Sequence, residues 1–270
     1  MTRLNDEPGA GGTIANSVTV EICVDSVESA LAAQRGGAHR TELCSGLIEG
    51  GTTPSSGLIS AVRSRVSIPI CVMIRPRNGD FFYGPEDFEI MEQDVLNVKQ
   101  LGADGIVLGI LKEDGRVDVE RTGRLVQLAR PLQVTFHRAF DMSRGLGESL
   151  EALIAANVDR VLTSGGEQKV ENGLPAVASL VKKAAGRISV MAGGGITERN
   201  AHHVIEATGV HELHASATAS VASVMEHRNE KIAMGALRGR EYQRPVVTEE
   251  RVRHLLAAAV NGAHHNLRVP

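Results

Sequence analysis

Four junctions decide the fold of this chain: GGAHRTEL at 36–43, LGADGIVLG at 101–109, NVDRVLTSGG at 157–166 and TGVHELHAS at 208–216. In each of them a helical stretch stops near a glycine or asparagine, and a short apolar run follows. Gly and Asn suit this place because the residue that ends a helix often adopts a left-handed conformation. The repetition predicts helices that alternate with buried strands.

Working outward from these junctions gives eight candidate strands: Thr19–Cys23, Thr41–Cys44, Ile70–Ile74, Ile106–Leu108, Gln133–His137, Arg160–Thr163, Ser189–Ala192 and Glu212–Ala215. The segments between them are interpreted as helices, and a last helix is predicted over Thr248–Val260. Residues 227–245 have no strong period and are interpreted as a long loop. The alternation predicts an α/β fold, a (β/α)₈ TIM-type barrel in a single domain.

An open, doubly wound sheet is the alternative arrangement of the same elements. Its usual glycine fingerprint for a dinucleotide is missing after the first strand, where the sequence CVDS at 23–26 contains no glycine. The barrel is therefore preferred, and no nucleotide cofactor is expected.

Length and composition limit the classes of protein. The 270 residues are 42% hydrophobic and 23% charged, which excludes a disordered or fibrous chain. The formal charge of −3 argues against a nucleic-acid partner, and no apolar run has the length of a membrane span. We expect a flexible arm at 1–17, a barrel domain with a C-terminal extension at 18–260, and a polar tail at 261–270. Three cysteines are too sparse for a secreted disulfide framework, so the cytoplasm is the expected location.

Polar side chains keep one parity along the predicted strands. The pairs that share a strand face are Glu21 with Cys23, Glu42 with Cys44, Thr135 with His137, and Glu212 with His214. The alternate positions are apolar, as packing against outer helices requires, so the polar set is predicted to point into the barrel. Buried carboxylates need partners, and Arg75 and His137 are the nearest candidates in type for Glu21 and Glu42.

These four residues, Glu21, Glu42, Arg75 and His137, are the candidate catalytic residues. Arg75 and His137 close their strands at the C-terminal mouth of the barrel, where TIM barrels keep their active sites. Carboxylates with an imidazole supply acid–base chemistry, and an arginine orients an anionic substrate. The simpler alternatives are a structural ion pair and a hydrogen-bonded core histidine.

Cys23 and Cys44 are the candidate metal ligands. They close adjacent strands with matching parity, and neighbouring strands lie about 4.8 Å apart, so the two sulfurs can converge on one ion. Two thiolates favour Cu(I), whereas the spacing of a structural zinc site is missing. On spacing alone, each cysteine is explained as a small buried hydrophobic side chain. Cys71 and Met73 are expected farther from the mouth, in the core.

A candidate anion site lies after the seventh strand, at Gly193, Gly194 and Gly195 in AGGGIT. Exposed backbone amides in such a turn can bind phosphate, and barrels often hold phosphate in the loops after strands seven and eight. The glycines alone are a weak signal, because a tight turn needs glycine in any case.

With these motifs identified, the sequence resembles the CutC copper-homeostasis family. The segments that carry the resemblance are EICVDS (21–26), GGAHRTELCSGLIEGGTTPS (36–55), VMIRPRNGDFFY (72–83), ADGIVLGIL (103–111), VTFHRAFDM (134–142), RVLTSGG (160–166), VMAGGGIT (190–197) and ELHASA (212–217).

The resemblance implies a TIM-barrel-type fold, a cytoplasmic location and self-association into a homodimer or homotetramer. It also implies copper homeostasis, with Cu(I) bound by the cysteines that match Cys23 and Cys44. Two hypotheses follow: a Cu(I)-binding protein that uses these thiolates, and an enzyme acting on a small anionic or phosphorylated metabolite. In the second, Glu21, Glu42 or His137 is the acid or base, Arg75 orients the substrate, and 193–195 bind the anion.

Overall fold

The fold is a closed barrel of eight parallel strands in sequential order. A computed structural model describes residues 18–234 and 240–261; the predicted arm at 1–17 and residues 262–270 of the predicted tail lie outside them. The barrel strands are β1 Thr19–Val24, β2 Arg40–Leu43, β3 Ile70–Met73, β4 Gly105–Leu108, β5 Gln133–Phe136, β6 Arg160–Thr163, β7 Ser189–Ala192 and β8 Glu212–Ala215. The predicted α/β barrel in a single domain is confirmed, and the open sheet is excluded because β1 pairs with β8.

Helices follow the strands around the outside of the barrel. They are α1 Val27–Arg35, α2 Ser56–Arg63, α3 Pro85–Gln100, α4 Val119–Ala129, α5 Leu146–Ala155, α6 Leu174–Ala184, α7 Ala201–Thr208 and α8 Glu249–Asn261. Short 3₁₀ helices lie at Leu47–Glu49, Arg138–Met142 and Val170–Asn172. Within the described part of the chain, no helix combines the length and the apolar character needed to cross a bilayer.

The interpretation of 227–245 as a loop is wrong at its C-terminal end. Two further strands, β9 Thr218–Ala222 and β10 Gln243–Val247, pair antiparallel beside the barrel. The hairpin contacts the first helix, where the Val247 amide donates to Ser29 Oγ at 3.2 Å. The sequence signal was weak because most side chains of the two strands are exposed or half-buried, so they show no apolar alternation.

The outer face of the barrel wall carries the hydrophobic core. The apolar positions predicted to face the helices are all fully buried there: Val20, Ile22, Leu43, Val134, Phe136 and Leu213. Because side chains alternate along a strand, the residues between them point to the barrel axis. Branched apolar layers usually fill that space, but here it holds carboxylates, guanidinium groups and thiols. This polar interior defines the candidate site.

Candidate functional site

An ion-pair network fills the N-terminal end of the barrel interior. Glu21 accepts a hydrogen bond from Arg40 Nε at 2.5 Å, and Arg40 also donates to Glu212 at 2.8 Å. Glu212 in turn accepts from Arg160 Nε at 2.5 Å and from Ser189 Oγ at 2.6 Å. These side chains come from five different strands, so only a common direction toward the axis brings them together. Each buried charge is thereby paired, as its desolvation requires.

The predicted pairing of Glu21 and Glu42 with Arg75 and His137 is wrong. Arg40 stands directly opposite Glu21 in the register of β1 and β2, so it reaches the carboxylate without crossing the barrel. Arg75 and His137 follow the last residues of their strands and lie at the mouth, where they bond to backbone groups. Alternation along the strands predicted correctly which way the acidic side chains point, but not their height along the barrel axis.

His214 joins the ion network to a second group of side chains nearer the mouth. Its Nδ1 lies 2.8 Å from Glu21 Oε1, and its Nε2 lies 3.8 Å from Glu42 Oε2. Burial opposes the charge on Glu21, but the His214 hydrogen bond and the Arg40 charge lower the pKa of Glu21 to about 2. Burial also opposes an imidazolium, yet Glu42, Cys23 and Glu21 raise the pKa of His214 well above its ordinary value.

The cysteines form a buried sulfur cluster beside this histidine. Cys23 Sγ and Cys44 Sγ are 4.0 Å apart, and Cys44 Sγ is 3.5 Å from Glu42 Oε2. Cys71 and Met73 pack in the same cluster. The prediction that the two thiols meet is therefore confirmed. Cys71 and Met73 are buried in the core, as expected, and they pack against the two thiols because β3 is the next strand and its inward positions adjoin those of β2.

Hydrogen bonds and burial shift the pKa values of Cys23, Cys44 and Glu42 in different directions. The hydrogen bond with Cys44 lowers the pKa of Cys23 to about 5 against the effect of burial, with a further contribution from His214. The same hydrogen bond and burial raise the pKa of Cys44 well above its ordinary value, so Cys23 is the more acidic of the two thiols. Burial likewise raises the pKa of Glu42, whose Oε1 is buried without a hydrogen-bond partner.

Arg75 fastens a loop over the sulfur cluster. Its Nη1 donates to the carbonyl oxygens of Glu49 and Gly51, at 2.8 Å each. Leu47 in this loop packs on the cysteines, and a side chain on Gly51 would lie 3.3 Å from Cys44 Sγ. Gly51 has a φ of +89°, so the loop needs glycine there for its backbone as well as for the close approach. Arg75 thus binds backbone carbonyls rather than a carboxylate.

His137 is buried at the mouth of the barrel. Its Nδ1 accepts a hydrogen bond from the Ala139 amide at 3.1 Å, which leaves the hydrogen of the neutral ring on Nε2. Nε2 itself is buried without a partner, as is Arg75 Nε. Burial, and then the charge of Arg75, lower the pKa of His137 to about 3. The ring of Phe81 lies 5.0 Å from the imidazole centroid and 5.2 Å from the guanidinium carbon of Arg75.

The glycine turn at 193–195 has two cationic neighbours. The Gly193 amide continues the strand ladder to Thr163 O at 3.0 Å. A side chain on Gly194 would meet Arg138 Nη1 at 3.3 Å, and one on Gly195 would meet Lys169 Cγ at 3.5 Å. The turn thus lies beside Arg138, which pairs with Asp141, and beside the aliphatic stem of Lys169.

The neighbouring glycine turn after β6 is already occupied by the protein itself. Asp141 Oδ1 accepts hydrogen bonds from the amides of Ser164 and Gly166, at 3.1 and 3.0 Å, and from Thr163 Oγ1 at 2.5 Å. Arg138 Nε donates to the other oxygen at 2.7 Å. An intramolecular carboxylate therefore uses the donors that this turn would offer to a ligand.

Four residues of the interior were missed as site residues in the sequence: Arg40, Arg160, Glu212 and His214. The signal for His214 was present, since it shares the parity of Glu212 on β8, and a closed barrel puts β8 beside β1. Arg40 and Arg160 stand at the first positions of their strands. Such positions are hard to assign because arginine at a helix–strand junction is ordinarily a surface residue.

Sequence comparison relates the chain to one family over most of its length. The CutC family pattern matches residues 18–219. A human protein named copper homeostasis protein cutC homolog is 49% identical over 255 residues, which cover 94% of this chain and 93% of the relative. A CutC family protein from Bacteroides fragilis is 46% identical over 235 residues, covering 86% and 94%.

Structural comparison agrees with the sequence. A solved CutC structure from Streptococcus agalactiae superposes with a TM-score of 0.71 at 32% sequence identity. The match covers 74% of this chain and 98% of that one. The similarity therefore extends from the sequence pattern to the three-dimensional arrangement of the barrel.

Proposed function

The chain belongs to the CutC family, and on that premise we propose that it is a copper-homeostasis protein that binds Cu(I) through the thiolates of Cys23 and Cys44. The observation that carries the proposal is the 4.0 Å separation of the two sulfur atoms. A zinc–thiolate bond is about 2.3 Å long. Twice that length is more than the 4.0 Å between the two sulfur atoms, so one metal ion of similar bond length can bind both. Thiolate and thioether ligands are those that select Cu(I).

The surroundings of the pair support the same role. Both cysteines are free and buried, and Leu47 and Met73 cover them with apolar surface. A dry, sulfur-rich pocket protects Cu(I) from water and from harder competing ligands. The presence of unpaired thiols supports a reducing compartment, so we place the protein in the cytoplasm.

Competition for Cu(I) with a chromophoric chelator tests the assignment. Replacing Cys23→Ser together with Cys44→Ser is expected to lower the affinity for Cu(I) by at least about 100-fold, because both soft ligands are removed. Cys71→Ala is the matched control, since it removes a buried thiol of the same cluster that is not assigned as a ligand. Retention of parental affinity in the double variant would refute the proposal.

Self-association into a homodimer or homotetramer is part of the proposal. It is supported by exposed apolar side chains between β9 and β10, among them Val224 at 97% and Met234 at 85% exposure. Analytical ultracentrifugation of the full chain tests it, and a monomer at micromolar concentration would contradict it.

One observation favours a second candidate function, catalysis on a small anionic metabolite. Arg75 Nε and His137 Nε2 are buried donors without partners near the barrel mouth, and buried donors of this kind call for an acceptor. Glu21 is held by Arg40 and His214, so Glu42 is the better acid among the predicted catalytic carboxylates. Gly194 and Gly195 would bind the anionic end of the ligand, whereas the Gly193 amide already donates to Thr163 O.

Thermal unfolding in the presence of inorganic phosphate tests this second candidate. Phosphate bound to the native state should raise the melting temperature, and Lys169→Ala should reduce the shift because Lys169 borders the glycine turn. Lys182→Ala, on α6, is the control for loss of one surface charge. An equal shift in the parent and in Lys169→Ala, or no shift at all, would remove this candidate.

A further inference from the structure

We propose that the cluster around Cys23 and Cys44 also forms a tetrahedral site for a divalent ion, Zn²⁺ by chemical preference, in which Glu42 and His214 complete the ligand set. The inference shares the two cysteines with the proposed copper function but needs two further residues that Cu(I) binding does not. Experiments can therefore refute the zinc site and the copper function independently of each other.

Three of the ligands are already gathered. One ligand atom each from Cys23, Glu42 and Cys44 lies within 4.8 Å of the other two. Zinc ligands lie about 2.0–2.3 Å from the ion. Two ligand atoms of one ion are therefore separated by no more than twice that length, which is slightly less than 4.8 Å. Small side-chain rotations suffice to bring these atoms onto one ion. Glu42 and Cys23 are paired in the register of β1 and β2, so their side chains start from adjacent positions.

A carboxylate oxygen of Glu42 indicates that this cluster can bind a cation. Glu42 is only 3% exposed, and its Oε1 has no hydrogen-bond partner among the residues that the structure describes. A buried polar oxygen without a partner is costly, and buried charges in proteins are ordinarily paired or bound to metals. The other carboxylates of the interior have partners: Glu21 in Arg40 and His214, and Glu212 in Arg40 and Arg160. Glu42 therefore differs from its neighbours in lacking a compensating group on this oxygen.

The fourth ligand is His214, which the structure holds in the orientation typical of a metal-binding histidine. Its Nδ1 faces Glu21 Oε1 at 2.8 Å, while Nε2 is directed to Glu42 Oε2 at 3.8 Å. Metal-binding histidines usually give their other ring nitrogen to a carboxylate, which fixes the ring and raises its basicity. Arg40 in turn anchors Glu21. Glu21 is thus a positioning residue for this site.

The donor set selects a divalent ion. Cu(I) is satisfied by sulfur alone, whereas a set of two thiolates, one imidazole and one carboxylate is typical of Zn²⁺. The sequence concealed the set because its members lie on β1, β2 and β8 rather than in a short Cys–X–X–Cys motif. Only closure of the barrel, which puts β8 beside β1, makes them neighbours.

Parallel affinity measurements on the full chain test the inference. Zn²⁺ is titrated against a chromophoric zinc chelator, and Cu(I) against its own chelator. Glu42→Gln and His214→Gln should each weaken zinc binding by about 10-fold or more while leaving the Cu(I) affinity within about 3-fold of the parent. Glu49→Gln and His211→Gln are the matched controls and should change neither affinity. Unchanged zinc affinity in both site variants, or an equal loss of both metals, would overturn the inference.

A spectroscopic measurement on the parent protein keeps the test decisive if a site variant fails to fold. Co²⁺ in place of Zn²⁺ should give the intense visible bands of tetrahedral cobalt together with thiolate charge-transfer bands, and zinc X-ray absorption should show two sulfur and two nitrogen or oxygen neighbours. The weak spectrum of six-coordinate cobalt, or a shell without sulfur, would refute the site. If Cu(I) binding survives Cys23→Ser with Cys44→Ser, the copper proposal fails, whereas the zinc site is judged by its own spectrum.

Discussion

Replacing His137→Gln should remove a pH-dependent loss of stability from the protein. The imidazole stays neutral in the folded state down to a pKa of about 3, whereas in the unfolded chain it protonates near 6.5. Below pH 6.5 the unfolded state therefore binds a proton that the folded state does not, and the free energy of unfolding falls as the pH falls. The loss is about 1.4 kcal/mol per pH unit, or about 2 kcal/mol at pH 5 relative to pH 7.

The difference between the parent and His137→Gln isolates this effect between pH 6.5 and 5, because the shifted pKa values of Cys23 and Glu42, which also act in this range, are common to both proteins. The lowered pKa of Glu21 contributes stability that is lost only below 4.5, as the pH approaches about 2. The raised pKa of His214 contributes stability that is complete below 6.5 and is lost as the pH rises through its folded value, which is the opposite direction. Glutamine at position 137 can still accept from the Ala139 amide and does not titrate.

Urea unfolding at pH 7, 6 and 5 measures the difference. The parent should lose about 2 kcal/mol more than His137→Gln over this range, a large part of the stability of an ordinary domain. His203→Gln, on α7, is the control for loss of a histidine that is not buried. Parallel pH dependence of the parent and His137→Gln would refute the argument that burial keeps this imidazole neutral.

Two further substitutions test the packing of the barrel interior by urea unfolding at pH 7. Glu21→Gln should lower the free energy of unfolding by about 3–5 kcal/mol, because it leaves the buried Arg40 with one fewer carboxylate. The control Glu28→Gln breaks only an exposed pair with Arg244 and should lower it by less than about 1 kcal/mol. Equal losses in the two variants would contradict the role assigned to the network. Gly105→Ala should cost about 1–3 kcal/mol, because its methyl group would lie 2.9 Å from Cys71 Sγ and 3.0 Å from Gln133 O. Gly123→Ala on α4 meets nothing within 4 Å and should instead stabilise the protein by up to about 1 kcal/mol; the same sign at both positions would refute the packing around Cys71.

Much of the barrel could be predicted because its signals are local. Each strand of the barrel lies within one residue of its predicted bounds at either end, since the glycine or asparagine junctions and the short apolar runs mark them directly. The face that each side chain occupies also followed from alternation, which is why Cys23 and Cys44 were expected to meet. Helix starts are harder to place: Thr53 followed by Pro54 has the pattern of an N-cap and first helical residue, but the residue that caps α2 is Ser55.

The partners inside the barrel could not be predicted in the same way. Alternation gives the face of a strand but not the height of a residue along the axis, which depends on the register between strands. For that reason Arg75 was matched with carboxylates that it does not contact, and Arg40 was overlooked. His214 is separated from Glu21 by 193 positions in the chain, and only the closure of β8 onto β1 makes them neighbours.

At the mouth of the barrel, the carboxylate of Asp141 binds the backbone amides that an anionic ligand could otherwise use. Asp141 uses the donors of the turn after β6, and the turn at 193–195 is the site proposed above for an oxyanion. On that proposal, a ligand with one anionic group has a place to bind, whereas a second anionic group near the turn after β6 would be repelled by the Asp141 carboxylate. A side chain of the protein itself would then favour ligands with a single anionic end.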